Sequence, residues 1–390
     1  MGVENQGVSI PTEVTALDGM NIKCLAVRNN KSAAINSYGE LFIWGSSKNR
    51  SLMTAAGTGL KDNLKLPTLF GTEELVFTKV AVGYEHVAAI TEDGRVFTMG
   101  TVEHGKLGHP EHEKTEEETE KEKQRYKISG YKPGGMDRSQ PAIGFVQGDL
   151  AGKKVVQVAC GAKHTVAVTE DGVVYTWGYG RMGALGHSNT ESVTQPKKIE
   201  SLPTGIVRVE CGTAHTIAMD ANGKLYSFGD NTYGQLGLNV DSLKETTPKK
   251  ILTSASQGKI ADFSCGDEHS AYLDSRGNVH TWGYGIDGQL GHNEKQSQNT
   301  PRKVTLDQKG ARVVCGGGHT GIVTVNGSLY LMGRGRDGQL GRGDGVESIS
   351  AYRASPILCE FFEDNKLQVD NLALGGHHTI AVTSPRINKQ

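Results

Sequence analysis

The chain has 390 residues, and its 52 glycines are nearly double the usual share of about 7%. With 11 prolines and no short period, collagen and low-complexity disorder are poor readings, while 36% hydrophobic residues suffice for a core in a chain this long. Lys plus Arg (42) nearly cancels Asp plus Glu (43), so whole-chain charge supports neither a basic nucleic-acid binder nor an acidic tail protein. No stretch approaches the roughly 18 apolar residues of a membrane helix, and Met1-Gly2-Val3-Glu4-Asn5 lacks the basic start and apolar run of a secretory signal. A soluble intracellular protein, cytoplasmic or nuclear, is expected.

In chain order, one pattern returns seven times. Lys31, followed by Gly39 and Trp44-Gly45, opens the series; His86 follows with Gly94 and Met99-Gly100. The third copy reads Cys160-Gly161-Ala162-Lys163-His164, then Asp171-Gly172 and Trp177-Gly178, and closes on Gly183-Ala184-Leu185-Gly186. His215, His269 and His319 head three more copies, each ending in Gly-Gln-Leu-Gly, and His378 begins a last, partial one. In every copy but the last, a glycine follows the anchor by eight residues and a large apolar residue by thirteen. Successive anchors lie 55, 78, 51, 54, 50 and 59 residues apart.

Each unit reads as strands and tight turns: an apolar run, a second run after the anchor, and a β-rich run ending at Trp-Gly. Asp171-Gly172, Asn222-Gly223, Arg276-Gly277 and Asn326-Gly327 fall where a hairpin needs positive φ. A proline (Pro11, Pro67, Pro141, Pro196, Pro248, Pro301, Pro356) then opens a further short strand, as suits an edge that can spare a donor. About four strands per 50 residues, seven times over, is the arithmetic of a β-propeller.

These motifs resemble the repeats of the regulator of chromosome condensation, the RCC1 family, over residues 10 to 384. The resemblance implies one all-β domain across residues 1–390: a seven-bladed RCC1-like β-propeller with four-stranded antiparallel blades. The last unit lacks its later strands, so the N-terminal segment is expected to pair with His378 to Thr383 and close the final blade. Residues 109–140, rich in Glu and Lys, form an inserted charged loop between the second and third repeats, either a binding device or an inert excursion.

Several motifs have plainer readings than the ones they invite. Gly178-Tyr179-Gly180-Arg181-Met182-Gly183 matches a dinucleotide fingerprint, but a short strand follows where a phosphate-binding helix is needed. Cys-Gly-x-x-His recurs once per blade, which suits a packed cysteine and a turn-tying histidine better than a convergent metal set. His86, His164, His215, His269, His319 and His378 are therefore structural, with no metal and no cofactor expected. Trp44, Trp177 and Trp282 share the slot filled elsewhere by Met99, Phe228 and Met332, so they read as core residues. That placement argues against a resemblance to the plant ultraviolet photoreceptor of this fold, which depends on further clustered tryptophans. Paired cations at Lys197-Lys198, Lys249-Lys250 and Arg302-Lys303 read first as edge protection and second as a basic stripe.

The founding member of the family is an exchange factor for the small GTPase Ran, and works without covalent chemistry through rim loops and a β-wedge. The resemblance places the wedge at Thr101, Val102, Glu103 and His104. It places rim contacts at Tyr84 and Glu85, Lys163, Asp267 and Glu268, and His377. Lys163 stands where the exchange factor carries an acid, Tyr84 where it carries another, and Glu268 where it carries a histidine. Two functions follow. The first is a non-enzymatic protein-interaction propeller, a monomer or a subunit of a larger complex, that binds another protein through these rim residues and the 109–140 insertion. The alternative is a guanine-nucleotide exchange factor for a Ran-like small GTPase. No nucleic acid, membrane or small-molecule partner is called for, and no catalytic constellation stands apart from the repeat.

Overall fold

A computed structural model of the chain describes residues 8–46, 52–53, 60–61, 63–70, 75–108, 141–253, 259–343 and 352–386. Its strands form a ring of antiparallel sheets, each drawn from one repeat. The third blade shows the pattern: Val155–Cys160 lines the axis, His164–Thr169 and Val174–Gly178 follow outward, and Val193–Lys198 forms the rim. The register sets His164 opposite Gly178 and Thr165 opposite Trp177. The hairpin between them turns at Gly172, whose φ of +76° is a left-handed geometry that an L side chain resists.

Packing explains why the second and third strands are uniformly buried. They are covered on both faces by neighbouring blades, so they lack the alternation of a half-exposed strand. Trp177 packs on Ala88, Ile90 and Val96 of the preceding blade as well as on Val155 and Cys160 of its own. Trp282 fills the same place against Ile217 and Leu225. All three tryptophans are fully buried. Cys160, Cys211, Cys265 and Cys315 sit in four successive interblade clusters as free thiols. In the outer strand the ladder slips between Thr176 and Gly178, and Pro196 lies in that irregularity, where its missing N–H costs no ladder bond.

The described residues form six four-stranded blades, not the expected seven. The last unit contributes only a two-stranded sheet, Leu367–Leu374 paired with Thr379–Pro385. Among the described residues, the expected pairing of the N-terminal segment with His378 to Thr383 is also absent. Residues 1–7 lie outside the described set, while Val8 and Ser9 instead pack against Gly338 in the sixth blade's terminal turn, with Gly343 N–H donating to Ser9 O at 2.7 Å. Thr246, Asn299 and Ala354, in the outer strands of the fourth, fifth and sixth blades, hold the same place against the preceding blade's turn. That turn selects the N-terminal segment by its groove, without a third strand to extend a ladder. The ring nevertheless closes: Gly376 N–H donates to Asn29 O at 2.9 Å, joining the last sheet to the first blade.

Candidate functional site

The anchor histidines form a belt. Each Nε2 meets the hydroxyl that follows the anchor in the next unit: His86 to Thr165 at 2.9 Å, His164 to Thr216 at 3.1 Å, and His215 to Ser270 at 3.0 Å. His269 meets Thr320 at 2.8 Å, His319 meets Thr379 at 3.0 Å, and His378 crosses the closure to Ser32 at 2.8 Å. The first five hydroxyls donate onward to backbone carbonyls of Lys106, Ala184, Gln235, Gln289 and Gln339. They therefore accept from an Nε2–H, which fixes a neutral tautomer. Burial holds the rings neutral, pushing His164, His215, His319 and His378 down to about 3 and His269 to about 4. Among the described residues no group of His, Cys, Asp and Glu could hold a metal ion.

The seam between the first and second blades departs from this at three positions together. Lys31 replaces the histidine, Val87 replaces the hydroxyl residue, and Arg28 replaces the glycine three residues before the anchor. Elsewhere that glycine is obligatory because the imidazole lies on it: a Cβ would stand 2.7 Å from the ring carbon at Gly316 and Gly375, and closer at Gly83, Gly161, Gly212 and Gly266. Lys31 has no ring, so a side chain fits. Its ammonium is buried and donates to Tyr84 O, and burial pulls it down to about 7.

Arg28 uses the space to cross the ring. It donates to Cys211 O at 2.8 Å, pairs with Asp267 at 3.3 Å and lies over the Tyr84 ring at 5.5 Å. The Tyr84 hydroxyl meets Thr213 at 3.3 Å, and burial, with Asp267 adding to it, pushes the phenol up to about 12. Tyr84 and Asp267, drawn from distant repeats, are thus brought together in a plug across one mouth of the axial channel.

Beside the plug, Glu85 pairs with Lys106 at 3.4 Å and accepts from Thr101 Oγ1 at 3.4 Å. Thr101 is almost fully buried, with its N–H on Glu85 O, so it supports the rim from beneath and presents no contact surface. In place of the expected β-wedge, Glu103–Gly105 form a short 3-10 helix with Val102 at its N-cap, and His104 takes φ +61° and meets the Tyr179 ring at a tilt, 4.4 Å between centroids. Burial, and then Lys163 and Lys106, hold the His104 imidazole below its ordinary range. Lys163 and His104 therefore face each other on a basic sector, with the 109–140 insertion outside the described residues.

Around Glu268, units four and five carry the opposite charge, bordered by Arg334 and Arg336 of unit six beside Asp287. Burial and then Asp267, Asp230 and Asp287 push the Glu268 carboxyl up. Tyr233 and Tyr284 meet edge to face at 4.9 Å within the same sector, and Ile286 is exposed. His377 stands apart, paired with Asp337 at 2.9 Å. Sequence reasoning passed over Arg28 and Lys106. Both were signalled by register, since Arg28 occupies a glycine slot and Lys106 a slot that holds buried Gln235, Gln289 and Gln339 in other units.

The family model for the RCC1-like domain matches residues 2–306 and 137–386. The chain belongs to the RCC1-like family. It is 32% identical over 296 residues to the ultraviolet-B receptor UVR8 of Arabidopsis thaliana, covering 75% of this chain and 60% of the receptor. Over 301 residues it is 30% identical to protein RCC2 of Homo sapiens, covering 69% of this chain and 53% of that one. It thus spans little more than half the length of these relatives. The likeness to the receptor corrects the inference drawn from tryptophan placement: three core tryptophans do not separate this chain from it in sequence. Yeast RCC1 (Prp20) superposes with a TM-score of 0.77 at 19% identity, over 98% of this chain and 84% of its own. Human WBSCR16 gives 0.75 at 21%, over 94% and 88%. These two likenesses show the fold. No helix among the described residues is long and apolar enough to cross a membrane.

Proposed function

We propose that this chain is a protein-interaction propeller whose turn face, the face bearing Tyr84, Glu85, Val102, Glu103, His104, Lys163, Asp267, Glu268 and His377, binds a protein partner. One observation carries the reading. Glu268 is half-buried among three other carboxylates, with no cation paired to it among the described residues. Like charges held together cost stability, and a basic partner surface relieves that cost on binding. Tyr233, Tyr284 and Ile286 supply the aromatic and apolar contact area typical of interface anchors. Lys163 and His104 across the ring give the face a polarity that orients a partner of complementary pattern.

The second reading, exchange on a Ran-like small GTPase, shares this face and draws support from the same acidic sector. Lys163 opposes it, because a cation there repels the basic surface that an acid would attract. Affinity capture with the immobilised full chain, wild type against Glu268→Lys, tests the first reading: proteins retained by wild type are lost by the variant, while Lys249→Ala on an outer strand retains them. Release of a fluorescent guanine nucleotide from Ran separates the two. Catalytic acceleration supports exchange, and an unchanged rate leaves the interaction module.

A further inference from the structure

The axial channel is closed at one mouth by Arg28 and open at the other, and it encloses a cavity of about 380 Å³. Three layers of side chains line it, set by position relative to each anchor. Arg28 crosses the innermost layer, where the other six units have glycine. The waist is mostly small (Ala26, Ala81, Ala159, Ser264, Ala373), which is why space remains at all, and its one charged member, Glu210, is turned to Arg208. The outermost layer is polar and its charges do not balance. Arg208 there pairs with two acids, Glu210 at 3.0 Å and Asp262, so the three cations Lys79, Arg208 and Arg312 outnumber the acids by one charge. Arg312 is met only by the neutral Asn371 side chain at 2.5 Å, and Lys79 has no acidic partner among the described residues. Both cations lie near the Cys24 sulfur, whose thiol burial pushes up against their opposing pull.

A surplus of one positive charge, carried by two cations that no acid pairs among the described residues, above a narrow waist and the Arg28 plug, describes a receptor with the sign and size of a compact anion. We propose that this cup is a binding site for a small multivalent anion bearing phosphate or carboxylate groups, held by Lys79 and Arg312 at the open end of the axial channel. The cup lies inside the ring, on the axis, and its open end with Lys79 and Arg312 lies across the cavity from the Arg28–Asp267 plug that borders the turn face. The anion head accepts from Lys79 and Arg312, and its remainder fills the alanine-lined waist.

Calorimetric titration of the full chain with inorganic pyrophosphate and, in a second arm, citrate tests this in chloride buffer near neutral pH. Saturable one-to-one binding of at least one is expected, and which one binds assigns phosphate or carboxylate chemistry. Lys79→Met and Arg312→Gln are each expected to weaken binding about tenfold. An independent readout needs no variant: saturating ligand slows alkylation of Cys24, the one cysteine that is only partly buried. Absence of saturable binding in both arms overturns the proposal. So does binding that survives both substitutions unchanged or leaves Cys24 alkylation unaffected, because the anion then sits elsewhere.

Discussion

Arg28 can occupy a glycine position because Lys31, three residues on, is not a histidine. In the six other units an imidazole lies on the glycine, and only there does a Cβ collide with it. The exchange of two residues in one repeat turns a regular seam into a plug. It aims a guanidinium at Asp267 and Cys211 from a position that elsewhere carries no side chain.

This coupling gives a reciprocal expectation. Lys31→His alone drives a ring into the Arg28 side chain and costs about 1–3 kcal/mol, the usual penalty of overpacking. Adding Arg28→Gly and Val87→Thr completes the belt and recovers most of that loss. Urea unfolding of the single and triple variants measures the difference, and a single variant as stable as wild type contradicts the steric account.

Lys31 also gives a signed pH dependence. Its folded value of about 7 lies below the ordinary 10.5, so between those limits the unfolded chain binds more protons than the folded one. Stability from this group therefore rises with pH across that window, by up to about 1.4 kcal/mol per pH unit. Lys106, also held down by burial, acts in the same direction. Lys31→Met is expected to flatten the rise of the urea midpoint between pH 7 and pH 10. An unchanged slope would remove Lys31 from the explanation.

The belt makes the opposite end of the scale hazardous. Six buried histidines sit well below their ordinary 6.5, so as pH falls beneath that value the unfolded state takes up protons that the folded state refuses. Stability falls with acid, each ring contributing up to about 1.4 kcal/mol per pH unit between 6.5 and its folded value. His269→Gln is expected to lower stability at pH 7 and to reduce the acid-side slope by about one proton.

Repeat spacing made the blades, the tryptophan slots and the histidine register readable, because each is a local consequence of strand length and turn chemistry. Closure was not readable. The missing strands of the last unit invited a paired N-terminus, but the residues that seat Val8 and Ser9 are Gly338 and Gly343, in the preceding blade. The candidate site was half readable. Tyr84 and Asp267 stand out by register, yet their meeting depends on Arg28 reaching across the ring, a contact between residues 239 positions apart in the Arg28–Asp267 pair. Thr101 looked like a wedge residue, and the ladder to Pro141 and the bond to Glu85 bury it.

Glu268 offers the most direct measurement of the central claim. Affinity capture and urea unfolding are performed together on wild type and Glu268→Gln. Removing a charge from a like-charge cluster is expected to leave stability unchanged or raise it by about 0.5 kcal/mol at most, since the half-exposed site is screened, while the captured partner is lost or strongly depleted. Undiminished capture by a folded Glu268→Gln chain would contradict the assignment of this face.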